Sequence, residues 1–453
     1  MVETKTTSWG YRQDSEECSI LTFWHGDWSQ IPWRGRPDHY VAFMRFRRGA
    51  VAFITAGLLV AGCGSSGDSS GTKSSEGGDA ASPLVDPLDS GDQFNTLDPV
   101  IVRTDFVPGP VATSDGLVHL TYEIQTTSLS REDTELESVA VMRPDSPTDV
   151  LIELTGEALE HATTVIGQRD ATTTLAPGST LVTYIDLVFD SIDDVPTEVD
   201  NAVATSGADH ATIRRFRVSD IEVDTYGPPL RGAGWIAGEG CCSPPTHHRR
   251  GIRSINGKGV IPERFAIDFL QVVDGIAYEN NGDANEDWFG WDAQVIAVAD
   301  GVVASTFDGM ATNDMVDPGE LPSTVPEGGG NQVIIDHGNG QFSAYLHMQA
   351  GSLEVQEGDI VERGQLLGRL GNSGHSSAPH LHFQLGTANS IGSGEGLPFV
   401  FDEFELLGTF ENGLIDAIPD APGDQVAAVP PPVGPGVRTN ELPLDVTLIN
   451  FAD

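Results

Sequence analysis

Gly371-Asn-Ser-Gly-His-Ser-Ser-Ala-Pro-His-Leu-His-Phe-Gln384 closes on a His-x-His pair interleaved with apolar residues. If residues 380–385 form a strand, successive side chains point to opposite faces. His380, His382 and Gln384 then share one face, and Leu381, Phe383 and Leu385 share the other. Two imidazoles over an apolar backing layer suit metal binding or proton transfer. Two exposed strand histidines would give the same pair. The Gly-Asn-Ser-Gly turn and Pro379 before it, and Phe383 after it, make the pattern more specific. That glycine- and serine-rich turn would let a ligand approach the backbone.

Upstream segments read as short strands separated by tight glycine turns, which gives an all-β domain of hairpins. They include Glu263-Arg-Phe-Ala-Ile-Asp-Phe269, Val295–Ala304, Gly330–Gly340, Phe342–Met348 and Val355–Gly368. Alternation places Ser343, Tyr345 and His347 on one face of their strand, and Arg264, Ala266 and Asp268 on one face of theirs. A zinc hydrolase site needs three protein ligands, an open position for water and a base. Asp268, His347, His380 and His382 are residues of the right types, drawn from three strands.

The order of these segments over residues 257–397, ending in Gly371–Phe383, resembles the lysostaphin-type (LytM-like) zinc metallopeptidases. The resemblance implies Zn2+ as cofactor, with Asp268 and His382 as metal ligands. It implies that His347, in Tyr-Leu-His-Met, activates water and that His380 helps to stabilise the transition state. Members of the family cut peptide bonds in the cross-links or stems of peptidoglycan. Gly351–Gly371 also looks like half of a lipoyl or biotinyl carrier domain, but it lacks Met-Lys-Met or a comparable acceptor lysine.

One position departs from the family pattern His-x-x-x-Asp: Arg264 stands four residues before Asp268. A guanidinium stays charged and pairs with carboxylates instead of ligating zinc. On the face of Asp268 it would oppose the charge of a metal. Either His247 or His248, in Thr246-His-His-Arg-Arg250, supplies the missing ligand from a preceding loop, or these are loop histidines and the metal site is degenerate.

The 453-residue chain carries 67 acidic and 24 basic residues, a formal net charge of -43. Such a surface repels phosphates, so nucleic acid is not expected as a partner; a solvated acidic surface accounts for the charge. The body has no 18-residue apolar run, which excludes a polytopic membrane protein. Residues 1–43 hold four of the seven tryptophans without periodicity and read as a mis-assigned or disordered N-terminus. Met44-Arg-Phe-Arg-Arg-Gly49 is a basic head, followed by the apolar Ala50–Ala61, and Val60-Ala61-Gly62-Cys63 resembles a bacterial lipobox. Residues 44–63 are therefore expected to be a lipoprotein signal peptide with lipidation at Cys63, the alternative being a short uncleaved anchor. Either way the protein is exported. The lipid anchor would be its one attachment to the membrane, on the extracytoplasmic side of the cell envelope.

Residues 64–93 are Ser, Gly and Asp with few large apolar side chains, a flexible linker. Residues 94–228 alternate in short runs, such as Leu117–Ile124 and Ser179–Val188, and predict a β-sandwich-like domain. Its His119, His161 and His210 show no spacing that converges on a site. Residues 229–410 form the LytM-like peptidase domain, and 411–453 read as an acidic, proline-rich C-terminal tail. Cys241 and Cys242 are neighbours, with Cα atoms about 3.8 Å apart across a trans peptide, below the usual disulfide range. Two buried thiols and a vicinal disulfide both fit.

Two functions follow. The first is an exported zinc endopeptidase acting on peptidoglycan peptides, in which water attacks a carbonyl polarised by the metal. The second is a degenerate LytM-like module that binds the wall or activates another cell-wall hydrolase. His347, His380 and His382 favour the first, and Arg264 favours the second.

Overall fold

The computed structural model describes residues 97–144, 146–242, 246–313, 327–410 and 428–453. The expected signal peptide, Cys63 and the linker after it lie outside those residues. Nearly all regular structure is β, as the alternating runs predict. Among the described residues no helix is long and apolar enough to cross a membrane.

Two five-stranded sheets face each other in the first part of the described chain. One runs Val100–Arg103, Val118–Ser128, Thr180–Phe189, Thr163–Val165, with Val111–Ala112 added on Val118–Ser128. The other runs Thr212–Arg217, Glu198–Thr205, Thr134–Met142, Val150–Thr155, with Thr174–Leu175 added on Thr134–Met142. Leu120, Tyr122 and Ile124 from one sheet meet Val139, Val141, Val199 and Val203 from the other in a shared core. The opposite face of Val118–Ser128 carries His119, Thr121, Glu123 and Gln125, and these too are buried. Polar groups are tolerated there because partners meet them. His119 sits between Asp186 at 3.0 Å and Asp115 at 3.3 Å, while Glu123 meets two arginines of the second part.

That second part is built on an antiparallel ten-stranded sheet. Its order is Ile360–Val361, Gly301–Phe307, Asn331–Asp336, Phe342–Met348, Leu381–Gly386, Ile267–Gln271, Trp235–Gly238, Thr447–Asn450, Phe404–Thr409, Gly436–Arg438. Leu381, Phe383 and Leu385 all enter the core, as the alternation required. The Phe383 ring lies 5.2 Å from Phe399 and 5.3 Å from Tyr345, centroid to centroid. Removing a ring buried this completely costs roughly 3–5 kcal/mol. The same strand is thereby pinned in the register that holds His382 opposite Asp268 and Leu346.

The C-terminal residues correct one expectation. Residues 428–453 are not a tail: Thr447–Asn450 fills the space between Trp235–Gly238 and Phe404–Thr409. Leu442, Ile449 and Phe451 belong to the main core. Acidic and proline-rich composition averaged over the segment concealed a short alternating strand. Cys241 and Cys242, open between thiols and a bond, are joined as a disulfide and both are buried.

Deleting residues 411–453 would leave the Trp235–Gly238 edge unpaired and strip three core side chains, exposing a hydrophobic strand edge. We expect the truncated chain to lose its cooperative thermal unfolding transition in calorimetry. A cooperative transition at the parent temperature would contradict this placement.

Candidate metal centre

Asp268 and His382 are register partners on adjacent strands, so their side chains leave the same face of the sheet. His382 Nδ1 lies 2.9 Å from Asp268 Oδ1. His248 comes from outside the sheet, on the one-turn helix His247–Arg250 whose first turn is capped by Thr246. Its Nε2 lies 3.4 Å from Asp268 Oδ2, and its ring stands 4.8 Å from that of His382. His380 Nε2 is 3.7 Å from Asp268 Oδ1, and the His347 ring is 4.7 Å from the His380 ring. Sequence reasoning named these five residues, and the fold brings them together.

The hydrogen bonds around the cluster determine which nitrogens are free. His382 Nε2 faces Gln384 Oε1 at 2.9 Å, and Gln384 is oriented by its own amide, which donates to Pro262 O. A neutral His382 therefore carries its proton on Nε2 and turns a bare Nδ1 to Asp268. His248 donates from Nδ1 to Glu239 O at 2.9 Å, which leaves Nε2 bare. That buried nitrogen and the buried Asp268 Oδ1 have no hydrogen-bond partner. Two imidazole lone pairs and a carboxylate thus converge with no donor between them. Such a set fits a divalent cation such as Zn2+, which takes N and O ligands of these types.

In the absence of a cation a proton serves instead. Burial pulls the His382 imidazole down, but the hydrogen bond and charge of Asp268 outweigh it, and its pKa is raised above 6.5. Burial raises Asp268, yet the charges of the His248 and His380 imidazoles beside it hold it well below 3.8.

His347 and His380 are bound differently. Nδ1 of His347 donates to Ser373 O at 2.8 Å, and Nδ1 of His380 donates to Ala378 O at 2.8 Å. Each leaves Nε2 free. Burial, then the charges of His380 and His382, hold His347 well below 6.5; burial also lowers His380, against the pull of Asp268. Both are neutral at neutral pH and able to accept a proton.

Strict alternation fails at His347. It would have put His347 with Ser343 and Tyr345, whose side chain is in the core. Instead, the register between Asn331–Asp336 and Phe342–Met348 shifts: Asn331 pairs with Met348 but Val333 with Tyr345. One extra residue on the His347 strand makes a β-bulge, and His347 takes φ of 62°. Such a conformation costs a non-glycine residue on the order of 1–3 kcal/mol. It turns His347 out of the core and toward His380 and His382. The glycines of the 371–374 turn serve packing: a Cβ on Gly374 would run into the backbone of Gly330, and one on Gly330 into Ser373.

Two other expectations change. Arg264 does not oppose a cation from the face of Asp268; it is buried and paired with Glu123 at 2.9 Å and Glu395 at 3.2 Å. His247 has a ligand atom within 4.8 Å of those of His248 and Asp268, but its Nδ1 is held by Glu239 at 3.0 Å and its side chain is half-exposed. Burial lowers His247, while its hydrogen bond to Glu239 and the charges of Asp268 and Glu239 raise it to about 9. His248 Nε2, by contrast, is buried and has no hydrogen-bond partner. Glu239 was missed in the sequence, where nothing distinguishes it from the other acids. A second group, His119, Asp186 and Cys242, has its sulfur committed to the disulfide.

Residues 289–391 match the sequence profile of peptidase family M23. The chain carries a LytM-like M23 peptidase domain. The matched span holds His347, His380 and His382, whereas Asp268 and His248 precede it. The chain is 45% identical over 56 residues to peptidoglycan DD-endopeptidase ShyA of Vibrio cholerae, covering 12% of this chain and 13% of that protein. It is 43% identical over 58 residues to lysostaphin of Staphylococcus staphylolyticus, covering 13% of this chain and 12% of lysostaphin. The match thus spans a small part of these relatives. The catalytic domain of lysostaphin from Staphylococcus simulans aligns in three dimensions over 37% of this chain and 88% of that one, at 21% identity and a TM-score of 0.20.

The cluster has a definite pH signature when metal is chelated. The Asp268–His382 contribution requires an ionised Asp268, so it is lost as pH falls below 3.8. It also requires a protonated His382, so it is fully present below 6.5 and is lost as pH rises through the raised value. The difference in melting temperature between the parent and Asp268→Asn in chelator is expected to shrink above pH 6.5. A difference that instead widens steadily toward pH 9 would contradict the assignment.

Proposed function

We propose that the chain is an exported zinc-dependent endopeptidase that hydrolyses peptide bonds in bacterial cell-wall peptidoglycan. The observation that carries this reading is the convergence of His248 Nε2, His382 Nδ1 and Asp268 beside two histidines with free Nε2 atoms. His248, Asp268 and His382 would hold the ion, with His248 standing in for the ligand that Arg264 displaces. Bound zinc supplies Lewis acidity, polarising a carbonyl and lowering the pKa of water.

The chain's own residues do the rest. His347 Nε2 accepts a proton from the attacking water, in the neutral form that its burial enforces. His380, with Nδ1 committed to Ala378, donates to a developing oxyanion only when Nε2 is protonated. Its lowered pKa therefore confines that role to the acid side of the pH profile. Gln384 and Glu239 hold the tautomers of His382 and His248. The relatives' names, a peptidoglycan DD-endopeptidase and lysostaphin, support the substrate class. Export and a lipid anchor at Cys63 rest on Met44–Cys63, with the membrane contacted through that lipid alone and peptidoglycan peptides as the partner.

The second reading, a degenerate module that binds the wall or activates another hydrolase, is favoured by Arg264 in the place where the family resemblance calls for a ligand. Zinc content and wall digestion measured on one sample separate the two. We expect His248→Ala to lose zinc and hydrolysis together, His247→Ala to keep both within a few-fold, and His347→Ala to keep zinc while losing hydrolysis. A parent protein that holds zinc yet digests no wall would favour the second reading. Equal zinc loss in His347→Ala and His248→Ala would overturn the division of roles.

A further inference from the structure

His248 is presented by four helical residues, too short a helix to hold itself in place by its own backbone bonds. Glu239 O holds the imidazole itself, and the next residue ties the turn to the sandwich. Arg249 is buried, and its guanidinium is bound on every side. Nη1 donates to Cys242 O at 3.0 Å, and Nη2 donates to Tyr122 O at 3.3 Å and to Ile185 O at 3.2 Å. Nε and Nη2 both reach Glu123 Oε1, at 3.2 and 3.1 Å. Tyr122 and Ile185 are register partners on the two central strands of the first sandwich sheet. The His248 turn is therefore anchored on the sandwich as well as on Cys242 O and Glu239 O, which follow the Trp235–Gly238 strand.

The other oxygen of the same carboxylate, Glu123 Oε2, accepts from Arg264 Nε at 2.9 Å. Arg264 stands four residues before Asp268. One sandwich carboxylate thus ties down both segments that deliver ligands to the centre from upstream. We propose that the sandwich is a working part of the metal centre, with Arg249 and Glu123 as positioning residues that set His248 against Asp268. This rests on the reading of His248, Asp268 and His382 as the zinc-holding set. It explains why a chain whose ligand position is occupied by arginine still has a third ligand atom at the site. The arginine found there belongs to the same clamp that brings the replacement in.

The test uses the full chain with cobalt as probe, its dissociation constant measured by chelator competition and its coordination followed by visible absorption. Arg249→Lys keeps the charge, but one ammonium cannot span acceptors on three segments. Glu123→Gln keeps the shape and removes the charge, and serves as the second variant should the first fail to fold. Val139→Ala, a cavity in the sandwich core away from Arg249, controls for general loosening. We expect Arg249→Lys or Glu123→Gln to weaken cobalt binding about tenfold or more and to alter the visible bands, with far-ultraviolet circular dichroism unchanged. Val139→Ala should stay within about threefold of the parent. Parent-like affinity and spectrum in the clamp variants would overturn the proposal, as would an equal loss in Val139→Ala. A parent that binds no more cobalt than His382→Ala would instead overturn the metal-centre reading beneath it.

Discussion

Two imidazole acceptors aimed at one carboxylate set the terms for the rest of this structure. His248 Nε2 lies 3.4 Å from Asp268 Oδ2 and His382 Nδ1 lies 2.9 Å from Asp268 Oδ1, with the imidazole donors engaged elsewhere. Bare lone pairs at that range repel, and burial removes the water that would otherwise separate them. The arrangement is stable only with positive charge at its centre, either a proton on His382 or a metal ion. Each surrounding contact enforces it: Gln384 fixes one imidazole, Glu239 O fixes the other, and strand register fixes the carboxylate. The candidate metal site is thus defined as much by where protons cannot be as by which ligand types are present.

Much of this was legible in the sequence, because the period of a strand is a strong local signal. The all-β class and the two faces of Leu381–Gly386 follow from alternation alone. His347 broke the rule: a bulge adds one residue, and nothing in Phe-Ser-Ala-Tyr-Leu-His-Met announces it. The choice between His247 and His248 depended on which ring faces Asp268 across the fold, a tertiary fact that adjacency in sequence cannot carry. Arg264 was read as an opponent of the metal because its partners, Glu123 and Glu395, lie more than a hundred residues away on either side. Thr447–Asn450 was hidden by the composition around it.

The ionic chain Arg249–Glu123–Arg264–Glu395 gives this M23 domain a dependence on its neighbour. Buried charges in such a chain are costly to desolvate, and removing one partner typically destabilises by about 3–5 kcal/mol. An apolar interface would hold the two parts together at no such cost. What the charges add is direction, since each guanidinium accepts few geometries. The pairs meet at the turn bearing His248 and at the segment leading into Asp268. The strained backbone at His347 has a parallel role, since core packing around Tyr345 and the tight Gly330–Gly374 contact hold that ring toward the centre.

The most direct test of this account is anomalous scattering at the zinc absorption edge from crystals grown with zinc. The account predicts one strong anomalous peak bonded to His248 Nε2, His382 Nδ1 and a carboxylate oxygen of Asp268, with His247 still on Glu239. A peak ligated by His247 in place of His248, or no peak at Asp268 in zinc-replete crystals, would contradict it.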